Sequence, residues 1–362
     1  MAISPGPAQS GRAQSGRESG RPDHGYHRVR VGAVRRETAD SVTVVLEVDD
    51  DLRDAYRYEA GQFVTFRVWI DGRPHLRSYS MSSAPLLDPD LRVTVKRVPG
   101  GLVSNWLNDT LAPGDVLEAT PPAGVFCLGR HDGDVVAFSA GSGITPVISI
   151  LKTALATTTR RVRLLYANRE PDAVIFRDEL AALEDRWSGR LRVVHHFDVE
   201  RGFVDADEVR AFGDGGPDAQ YYICGPGPFM DIVERTLLAA GVGAGHIHIE
   251  RFTPSEAPAP PVEPAEVAAA RVTIELGGRV GSVEHRAGTT ILQTARQMGM
   301  APPFSCESGS CATCMAKLVE GSVVMHVNNA LTPAEVEDGW VLTCQAVPTT
   351  PSVRIIYDPE EA

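Results

Sequence analysis

Hydrophobic and polar residues alternate along three stretches in the first third of the chain. These stretches contain residues 42–48, 64–70 and 91–96, with Val, Leu, Ile or Phe at every second position. An apolar side chain at alternate positions is typical of a strand that buries one face. The pattern therefore predicts an antiparallel β-barrel, which we assign to residues 28–130.

From about Asp134 the pattern changes to short apolar runs separated by segments of helix length. The runs are VVAF, VRLLY, LRVVHH, YYIC and HIHI, and the helical segments include Pro146–Ala156 and Val174–Trp187. Strands that alternate with helices predict a doubly wound parallel sheet, which binds ligands outside the carboxyl ends of its strands. We assign this α/β domain to residues 131–252.

Two segments have compositions unlike those of a folded domain. Residues 253–270 contain five prolines and no aromatic residue, which indicates an extended linker to a domain of residues 271–362. Residues 1–27 are rich in Gly, Ser, Pro and Arg, which predicts a disordered arm.

The region after the linker has its own pattern of elements. Arg271–Glu284 predicts a hairpin that turns at Gly277 and Gly278, Thr290–Met298 predicts a helix, and Val353–Tyr357 predicts a final strand. We expect a small mixed sheet packed around one helix.

Composition narrows the class of protein. A chain of 362 residues with 43% hydrophobic residues favours two or three folded domains. The net charge of -12 argues against a nucleic-acid-binding protein, which needs clustered Lys and Arg. The chain starts without an apolar signal segment and has no run suited to spanning a membrane, so we expect a cytoplasmic protein. We also expect a monomer.

Four of the six cysteines form a metal-binding pattern near the C-terminus. Cys306, Cys311, Cys314 and Cys344 have the spacing C-x4-C-x2-C-x29-C, which matches the plant-type ferredoxin pattern for a 2Fe-2S cluster. The alternative is a structural zinc site, but zinc sites usually pair two C-x2-C knuckles. The spacing therefore favours the iron–sulphur cluster.

The sequence RSYS at residues 77–80 offers the side chains that a flavin requires. Arg77 can bind a phosphate bidentately, Tyr79 can pack against the ribityl chain or the ring, and Ser78 and Ser80 supply hydroxyls, one of which can lie near flavin N5. The alternative for so short a motif is an ordinary surface strand.

A second phosphate site is indicated downstream of this motif. Lys96 precedes a glycine pair, and Gly101, Leu102, Val103 and Ser104 open a helix-like segment. Backbone amides at the start of such a helix can hold a phosphate.

The segment AGSGITP follows the apolar run VVAF, as expected for a dinucleotide-binding turn. Gly141 and Gly143 allow a dinucleotide to approach, with Thr145 as the N-cap and Pro146 as the first helical residue.

Two further predicted strands are followed by candidate site residues. Cys224 and Gly225 follow the run YYI, and Glu250 and Phe252 follow HIHI. Cys224 could equally be a buried packing thiol and Phe252 an ordinary core residue, whereas Cys127 has no such context and is interpreted as structural.

In this order and spacing, residues 28–252 resemble the ferredoxin-NADP reductase superfamily, and Val272–Asp358 resembles a plant-type ferredoxin domain with a β-grasp fold. Glu307 stands where plant ferredoxins often carry Arg. The resemblance implies three sets of residues. The flavin would be bound by Arg77, Ser78, Tyr79, Ser80, Lys96, Gly101, Leu102, Val103 and Ser104, and the nicotinamide dinucleotide by Gly141, Gly143, Thr145, Arg169, Cys224 and Gly225. The catalytic residues beside the reacting rings would be Ser80, Cys224, Glu250 and Phe252, with Phe252 covering the flavin.

The fused domain order is similar to that of reductase components of bacterial multicomponent oxygenases. Flanking segments most resemble 3-ketosteroid 9α-hydroxylase reductases, with phenylacetyl-CoA epoxidase reductases second. The phthalate dioxygenase type shares the domain order but uses FMN, and the segment GGLVSNWL favours FAD here. The resemblance implies electron transfer from NAD(P)H through FAD and the 2Fe-2S cluster to a terminal iron oxygenase.

Two questions stay open at this level. Residues 168–172 combine Arg169, suited to the 2'-phosphate of NADPH, with acids that would repel that phosphate, and we favour NADH over NADPH.

Two rival functions are also considered for the whole chain. One is a self-contained flavoenzyme that reduces a small acceptor, and the other is a non-enzymatic iron–sulphur sensor.

Overall fold

The chain forms two compact units, one of them Gly25–Phe252 and the other containing Thr253–Ala362. The computed structural model describes residues 26–252, 270–300, 302–304, 309, 312–328, 330–331 and 333–357. Residues 1–25 of the expected N-terminal arm and nearly all of the expected linker lie outside the described residues, and His27, the last residue of the expected arm, already belongs to the first strand. Within the described ranges, no helix is both long enough and apolar enough to cross a membrane.

The first lobe of the larger unit is a six-stranded antiparallel sheet. Its elements are β1 (His27–Thr38), β2 (Ser41–Glu47), β3 (Phe63–Ile70), β4 (Arg73–Ser80), β5 (Leu91–Lys96), α1 (Leu102–Thr110) and β6 (Val116–Ala119).

The strand order is β4-β3-β6-β1-β2-β5, and a bridge between Met81 and Val93 joins the end of β4 to β5. The sheet therefore closes on itself around a core in which Val44, Val64 and Phe66 are fully buried. The prediction of an antiparallel barrel is confirmed.

The second lobe is a parallel sheet of five strands with helices on its faces. Its elements are β7 (Val135–Ala140), α2 (Ile144–Thr157), β8 (Val162–Asn168), α3 (Arg177–Arg186), β9 (Leu191–Phe197), α4 (Asp198–Arg201), α5 (Ala206–Gly213), β10 (Gln220–Cys224), α6 (Gly227–Ala239) and β11 (Ile247–Glu250).

The strand order β11-β10-β7-β8-β9 confirms the doubly wound sheet. From β7 the chain first adds β8 and β9 on one side and then returns to add β10 on the other. The carboxyl ends of β7 and β10 are therefore the point where the strand order reverses, which is where such sheets bind ligands.

Helix α3 is shorter than the predicted segment 174–187. Ile175 is fully buried, and Phe176 has a left-handed backbone with φ of 61°. An aromatic residue in that conformation interrupts a right-handed helix. Residues 174–176 therefore bury apolar side chains in the core, and the helix begins only at Arg177.

The C-terminal unit is a mixed sheet with a main helix and a second, shorter one, and it has the β-grasp arrangement expected. Its elements are β12 (Arg271–Leu276), β13 (Arg279–Glu284), α7 (Ile291–Gln297), β14 (Met315–Glu320), β15 (Val323–Met325), α8 (Pro333–Glu337), β16 (Trp340–Leu342), β17 (Ala346–Pro348) and β18 (Ser352–Ile356).

The main sheet has the order β13-β12-β18-β14-β16, and β15 pairs separately with β17. The predicted hairpin is confirmed, with Gly277 and Gly278 at φ of 55° and 71°. Two consecutive positive φ angles are the reason that a glycine pair is needed in this turn. Thr290 caps α7 through a reciprocal pair of hydrogen bonds with Gln293.

Candidate functional site

The loops after β7 and β10 contact each other at the switch point. A Cβ atom at Gly143 would overlap the carbonyl group of Cys224 and lie 2.7 Å from Gly225 N. A Cβ atom at Gly225 would in turn lie 3.0 Å from the Ala140 side chain. Glycine at both positions is thus required by backbone packing, and the two loops form one continuous floor.

The start of α2 differs from the prediction that Thr145 is the N-cap and Pro146 the first helical residue. The helix begins at Ile144, and Gly143 already has helical angles with φ of -61° and ψ of -13°. The reason is that a 3-10 turn over Gly141–Gly143 runs directly into the helix. Thr145 is buried, and its hydroxyl donates to Ser142 O at 3.0 Å.

Ser80, Cys224 and Glu250 come together where the barrel meets this floor. The Ser80 hydroxyl, at the end of β4, donates to Glu250 Oε2 at 3.3 Å. Cys224 and Glu250 are paired residues at the ends of the neighbouring parallel strands β10 and β11. The structure thus brings together three residues that lie far apart in the sequence.

The local environment keeps the acidic groups of this cluster protonated. Burial raises the pKa of Glu250 to about 8, although the hydrogen bond from Ser80 acts to lower it. Burial, together with the nearby Glu250, also raises the pKa of the Cys224 thiol. Glu250 is only 8% exposed, and this burial favours its neutral form.

The remaining residues of the RSYS motif lie along β4. Arg77 is exposed, and its guanidinium donates to Leu76 O at 2.7 Å. The Tyr79 ring packs against Phe66 with ring centres 5.6 Å apart, and Ser78 shares a hydrogen bond of 2.9 Å with Thr65. These positions leave the Arg77 guanidinium accessible to a phosphate.

The glycine pair before α1 forms a tight turn. Ser104 accepts a hydrogen bond from Val98 N at 3.1 Å, and a Cβ atom at Gly101 would lie 2.8 Å from the Ser104 hydroxyl. Gly101 is the N-cap and has no side chain with which to cap the helix. The amides of Leu102 and Val103 therefore begin α1 with a geometry suited to a phosphate.

Lys96 connects the barrel to the loop after β7. Its ammonium lies 3.7 Å from Asp40 and 3.8 Å from the position of a Cβ atom on Gly141. Gly141 has φ of 53°, which favours glycine. A positive charge therefore lies beside the first glycine of the predicted dinucleotide-binding turn.

The predicted residues at the rim of the site are exposed. Arg169 follows β8 and pairs with Glu170 at 3.4 Å. Phe252 is 41% exposed, and the preceding Arg251 pairs with Asp231 at 2.9 Å.

The C-terminal unit holds the described part of the cysteine pattern. Cys314 and Cys344 are both buried in one apolar cluster, and Thr343 donates through its hydroxyl to Cys314 O at 2.8 Å. Gly309 and Ala312 both have a left-handed backbone, with φ of 76° and 52°. Cys306, Cys311 and Glu307 lie outside the described residues.

Thiolate sulphurs are the ligands that Fe–S clusters use, and the two described cysteines of the pattern, Cys314 and Cys344, belong to one buried cluster. These residues fit a 2Fe-2S group.

The sequence patterns did not indicate two features near the site. Lys152 of α2 is buried between Asp88 and Glu179, and the Cys127 thiol, whose pKa burial raises, donates to Gly124 O at 3.6 Å. No local spacing points to the contacts of Lys152, because its partners come from distant parts of the chain.

Comparison with known proteins assigns the three domains. Residues 29–127 match the model of the oxidoreductase FAD-binding domain, residues 138–235 that of the oxidoreductase NAD-binding domain, and residues 274–349 that of the 2Fe-2S iron-sulfur cluster binding domain.

The relatives and solved structures agree with this assignment. The ferredoxin reductase component of 3-ketosteroid-9-alpha-monooxygenase from Rhodococcus rhodochrous is 41% identical over 90% of this chain and 95% of its own. A component of 1,2-phenylacetyl-CoA epoxidase from Escherichia coli is 33% identical over 92% of this chain and 98% of its own. The structure of phthalate dioxygenase reductase is similar with a TM-score of 0.59 and 26% identity, covering 92% of this chain and 98% of that one.

These matches span nearly the whole of each relative and confirm the expected domain order and cofactor domains. The chain belongs to the family of oxygenase reductase components that join an FAD-binding, an NAD-binding and a 2Fe-2S domain in one polypeptide.

Proposed function

We propose that this chain oxidises NADH and supplies electrons to the terminal oxygenase of a 3-ketosteroid 9α-hydroxylase. The observation that carries the redox part of the proposal is the contact between Ser80 and Glu250 beside Cys224, at the point where the barrel meets the parallel sheet. The steroid part is supported by the 41% identity to the Rhodococcus rhodochrous relative.

In this proposal the barrel residues hold FAD. Arg77 binds a phosphate group, Tyr79 packs against the flavin, and the amides of Leu102 and Val103 with the Ser104 hydroxyl hold the pyrophosphate. When bound, the flavin accepts two electrons together from the nicotinamide and releases them singly.

The floor made by the loops after β7 and β10 holds the nicotinamide. Gly141, Gly143 and Gly225 allow the dinucleotide to approach the backbone, and Thr145 lies buried beneath them. The positive charge of Lys96 next to Gly141 is placed to attract the phosphates of either dinucleotide.

The reacting rings would lie against Ser80, Cys224 and Glu250. Glu250 holds a proton at neutral pH because its pKa is raised to about 8, and Ser80 presents a hydroxyl at the same place. Cys224 fills the space beside them as a small, protonated thiol that excludes water. Phe252, two residues after Glu250, covers the flavin until nicotinamide displaces it.

The choice of NADH over NADPH rests on the charges beyond β8. Arg169 is paired with Glu170, and Asp172 pairs with Arg177 at 3.3 Å. Because acids share the rim with each of these cations, a 2'-phosphate would meet repulsion as well as attraction.

Cys306, Cys311, Cys314 and Cys344 hold the 2Fe-2S cluster in the C-terminal domain. We further propose domain limits of 28–130, 131–252 and 271–362, with residues 253–270 as a semi-rigid linker. An extended proline-rich chain of that length reaches on the order of 50 Å, which lets the domain accept electrons and then present them to a partner.

The kind of oxygenase proposed as the partner is taken from the names of the similar proteins. An oxygenase that acts on a ketosteroid is favoured, and the alternative is a phenylacetyl-CoA epoxidase, supported by the 33% identity to the Escherichia coli relative. We propose that the chain acts in the cytoplasm, as a monomer.

The test is reconstitution with each type of oxygenase. Purified protein is mixed with NADH and either a ketosteroid 9α-hydroxylase or a phenylacetyl-CoA epoxidase, each with its substrate. The proposal expects substrate-dependent NADH consumption with the first partner only. Steady turnover with ferricyanide but with neither oxygenase would instead support the self-contained flavoenzyme.

A further inference from the structure

The segment that joins β4 to β5 is bound to helix α2 by a buried hydrogen bond. Ser80 ends β4, and residues 81–90 follow it. The Ser149 hydroxyl of α2 donates to Ser83 O at 2.6 Å, and both residues are fully buried. The carbonyl group that accepts this bond thus belongs to the chain immediately after the residue that contacts Glu250.

A buried ion pair joins the same segment to the same helix. The Lys152 ammonium donates to Asp88 Oδ2 at 2.6 Å, and that oxygen also accepts from Ala84 N at 2.7 Å. Ser149 and Lys152 are three residues apart in α2, so their side chains lie on one face of the helix. This face therefore holds the segment at two points.

The other end of helix α2 belongs to the floor of the nicotinamide site. The helix begins at Ile144, directly after Gly143, where a Cβ atom would overlap the Cys224 carbonyl. Ser149 lies one and a half turns further on, about 7.5 Å along the helix axis. A short, regular helix therefore connects this floor to the segment that follows Ser80.

The segment is fixed on its barrel side as well. The Ser83 hydroxyl lies 2.7 Å from the Tyr58 hydroxyl and accepts from Arg92 N at 3.0 Å. Ser82 N donates to Arg92 O at 2.8 Å. Because the segment is bonded to β5 in this way, a shift of α2 is transmitted to the barrel and is not absorbed by a loose loop.

The proposed function makes the spacing of these elements important, and the inference rests on it. NADH gives a hydride, which is two electrons and one proton, to the flavin, so NAD⁺ and reduced flavin result. The reacting atoms must come within about 3–3.5 Å, and a misplacement of about 1 Å can slow the reaction about a hundredfold. Ser80 belongs to the flavin side of the site and Gly143 to the nicotinamide side, so the packing of the two lobes sets this distance.

We propose that Ser149, Lys152 and Asp88 are positioning residues for hydride transfer. Their two bonds keep the segment after Ser80 at a fixed distance from the start of α2. They act on the reaction only through the positions of Ser80 and Gly143. Their effect is therefore on the rate of hydride transfer in the folded protein, in addition to any effect on its stability.

Other contacts between the lobes reach different elements. Ser80 donates to Glu250 at 3.3 Å, which is a longer bond within the site itself. The Tyr222 hydroxyl of β10 accepts from Gly129 N at 2.9 Å, in the connection between β6 and β7. The bonds from α2 reach the chain directly after β4, and so they bear on the flavin side of the site.

The test uses three substitutions in the holoprotein. Ser149→Ala removes the hydroxyl that binds Ser83 O, and Asp88→Ala removes the carboxylate that binds Lys152. Asp88→Asn has the same shape as the wild-type residue and keeps an oxygen that can accept from Lys152 and Ala84 N.

Two matched controls accompany them. Asp90→Ala lies in the same segment, but Asp90 pairs with Arg92 of the barrel at 3.4 Å. Thr157→Ala lies on α2, where the exposed Thr157 hydroxyl donates to Thr153 O within the helix.

The first arm measures backbone hydrogen exchange of residues 81–90 in the oxidised protein, without NADH. Ser149→Ala and Asp88→Ala should speed exchange in this peptide at least about threefold, the change expected from the loss of one hydrogen bond. Asp90→Ala and Thr157→Ala should exchange at the wild-type rate.

The second arm follows anaerobic flavin reduction by stopped flow over a range of NADH concentrations, counted per bound flavin. Ser149→Ala and Asp88→Ala should lower the limiting rate constant about tenfold and leave the NADH dissociation constant within about twofold of wild type. Asp88→Asn should keep most of the wild-type rate, and both controls should match wild type. A contact that only stabilised the fold would change neither quantity in folded holoprotein.

The two arms separate the possible failures. Wild-type limiting rates in Ser149→Ala and Asp88→Ala would overturn the proposal, as would equal losses in Asp88→Asn and Asp88→Ala. Unchanged hydrogen exchange, or a loss confined to NADH affinity, would also contradict it. If Asp88→Ala fails to fold, Ser149→Ala decides. If wild type fails to oxidise NADH, the proposed function fails, while the exchange arm still decides whether α2 holds the segment.

Discussion

The ammonium of Lys152 on α2 lies 2.6 Å from Asp88, which belongs to the connection between β4 and β5 of the barrel. Its other partner is Glu179 of α3, at 2.5 Å. Lys152 is only 6% exposed, so its charge depends on these carboxylates rather than on water. One buried cation therefore ties the flavin-binding barrel to two helices of the nicotinamide lobe.

Lys152→Met should lower the free energy of unfolding by about 3 kcal/mol, because it removes the buried cation that Asp88 and Glu179 share and leaves Asp88 with only Ala84 N and the more distant Arg92, at 3.9 Å. Urea unfolding followed by circular dichroism measures this. Arg53→Met is the matched control, since Arg53 pairs with Asp50 at the surface, and its loss should cost less than about 1 kcal/mol. Equal effects of the two substitutions would mean that the buried pair contributes no more than a surface pair.

Gly143→Ala should disrupt the floor of the nicotinamide site. The added methyl group would overlap the Cys224 carbonyl, so the loops must separate, at a cost of about 1–3 kcal/mol. The affinity for NADH, measured by quenching of flavin fluorescence, should also decrease in this variant. Gly227→Ala, at the start of α6 with open space around its Cβ position, should leave NADH affinity unchanged. Comparable losses in both variants would argue against the close approach.

Because of Glu250, the free energy of unfolding of the larger unit should decrease as pH rises. The pKa of Glu250 is raised from the usual 4.5 to about 8 in the folded state, so between these values the folded chain binds more protons than the unfolded chain. Stability therefore falls as pH increases across this window. In urea unfolding, Glu250→Gln should gain stability relative to wild type from pH 5 to 8. A constant difference across that window would show that Glu250 is not protonated by burial.

Phe252→Ala should change nicotinamide binding, because an aromatic ring over the flavin must be displaced before the nicotinamide can come within the ~3–3.5 Å needed for reaction. Stopped-flow reduction and the NADH/NADPH preference measure this. Phe203, 85% exposed between α4 and α5, provides the control Phe203→Ala. Indistinguishable kinetics in the two variants would assign Phe252 to packing alone.

Much of the fold follows from local pattern. Alternation around Val64 and Phe66 predicted the barrel strand, and the pair Gly277–Gly278 predicted the hairpin turn, because each depends only on neighbouring residues. The start of α2 could not be placed from Thr145 and Pro146, since a 3-10 turn and an N-cap use similar residues.

In the candidate site, too, local features could be predicted from the sequence and long-range contacts could not. Motifs identified Ser80, Cys224 and Glu250, but not that Ser80 donates to a carboxyl group 170 residues away. From the sequence, Lys152 is predicted to be an ordinary surface lysine of a helix. It is buried because Asp88, 64 residues away in the sequence, packs against it in the fold. Contacts of that range depend on how the two lobes pack, which single-residue patterns do not encode.

The most direct test of the central claim, that electrons pass from NADH through the flavin to the cluster of the C-terminal domain, is anaerobic rapid mixing with NADH. In wild type, flavin absorbance should fall first and cluster absorbance should follow. In Cys314→Ser the cluster signal should be lost while flavin absorbance falls at the wild-type rate, and Cys127→Ser should keep the cluster. A flavin that stays oxidised, or a cluster that NADH reduces after the flavin has been removed, would contradict the account.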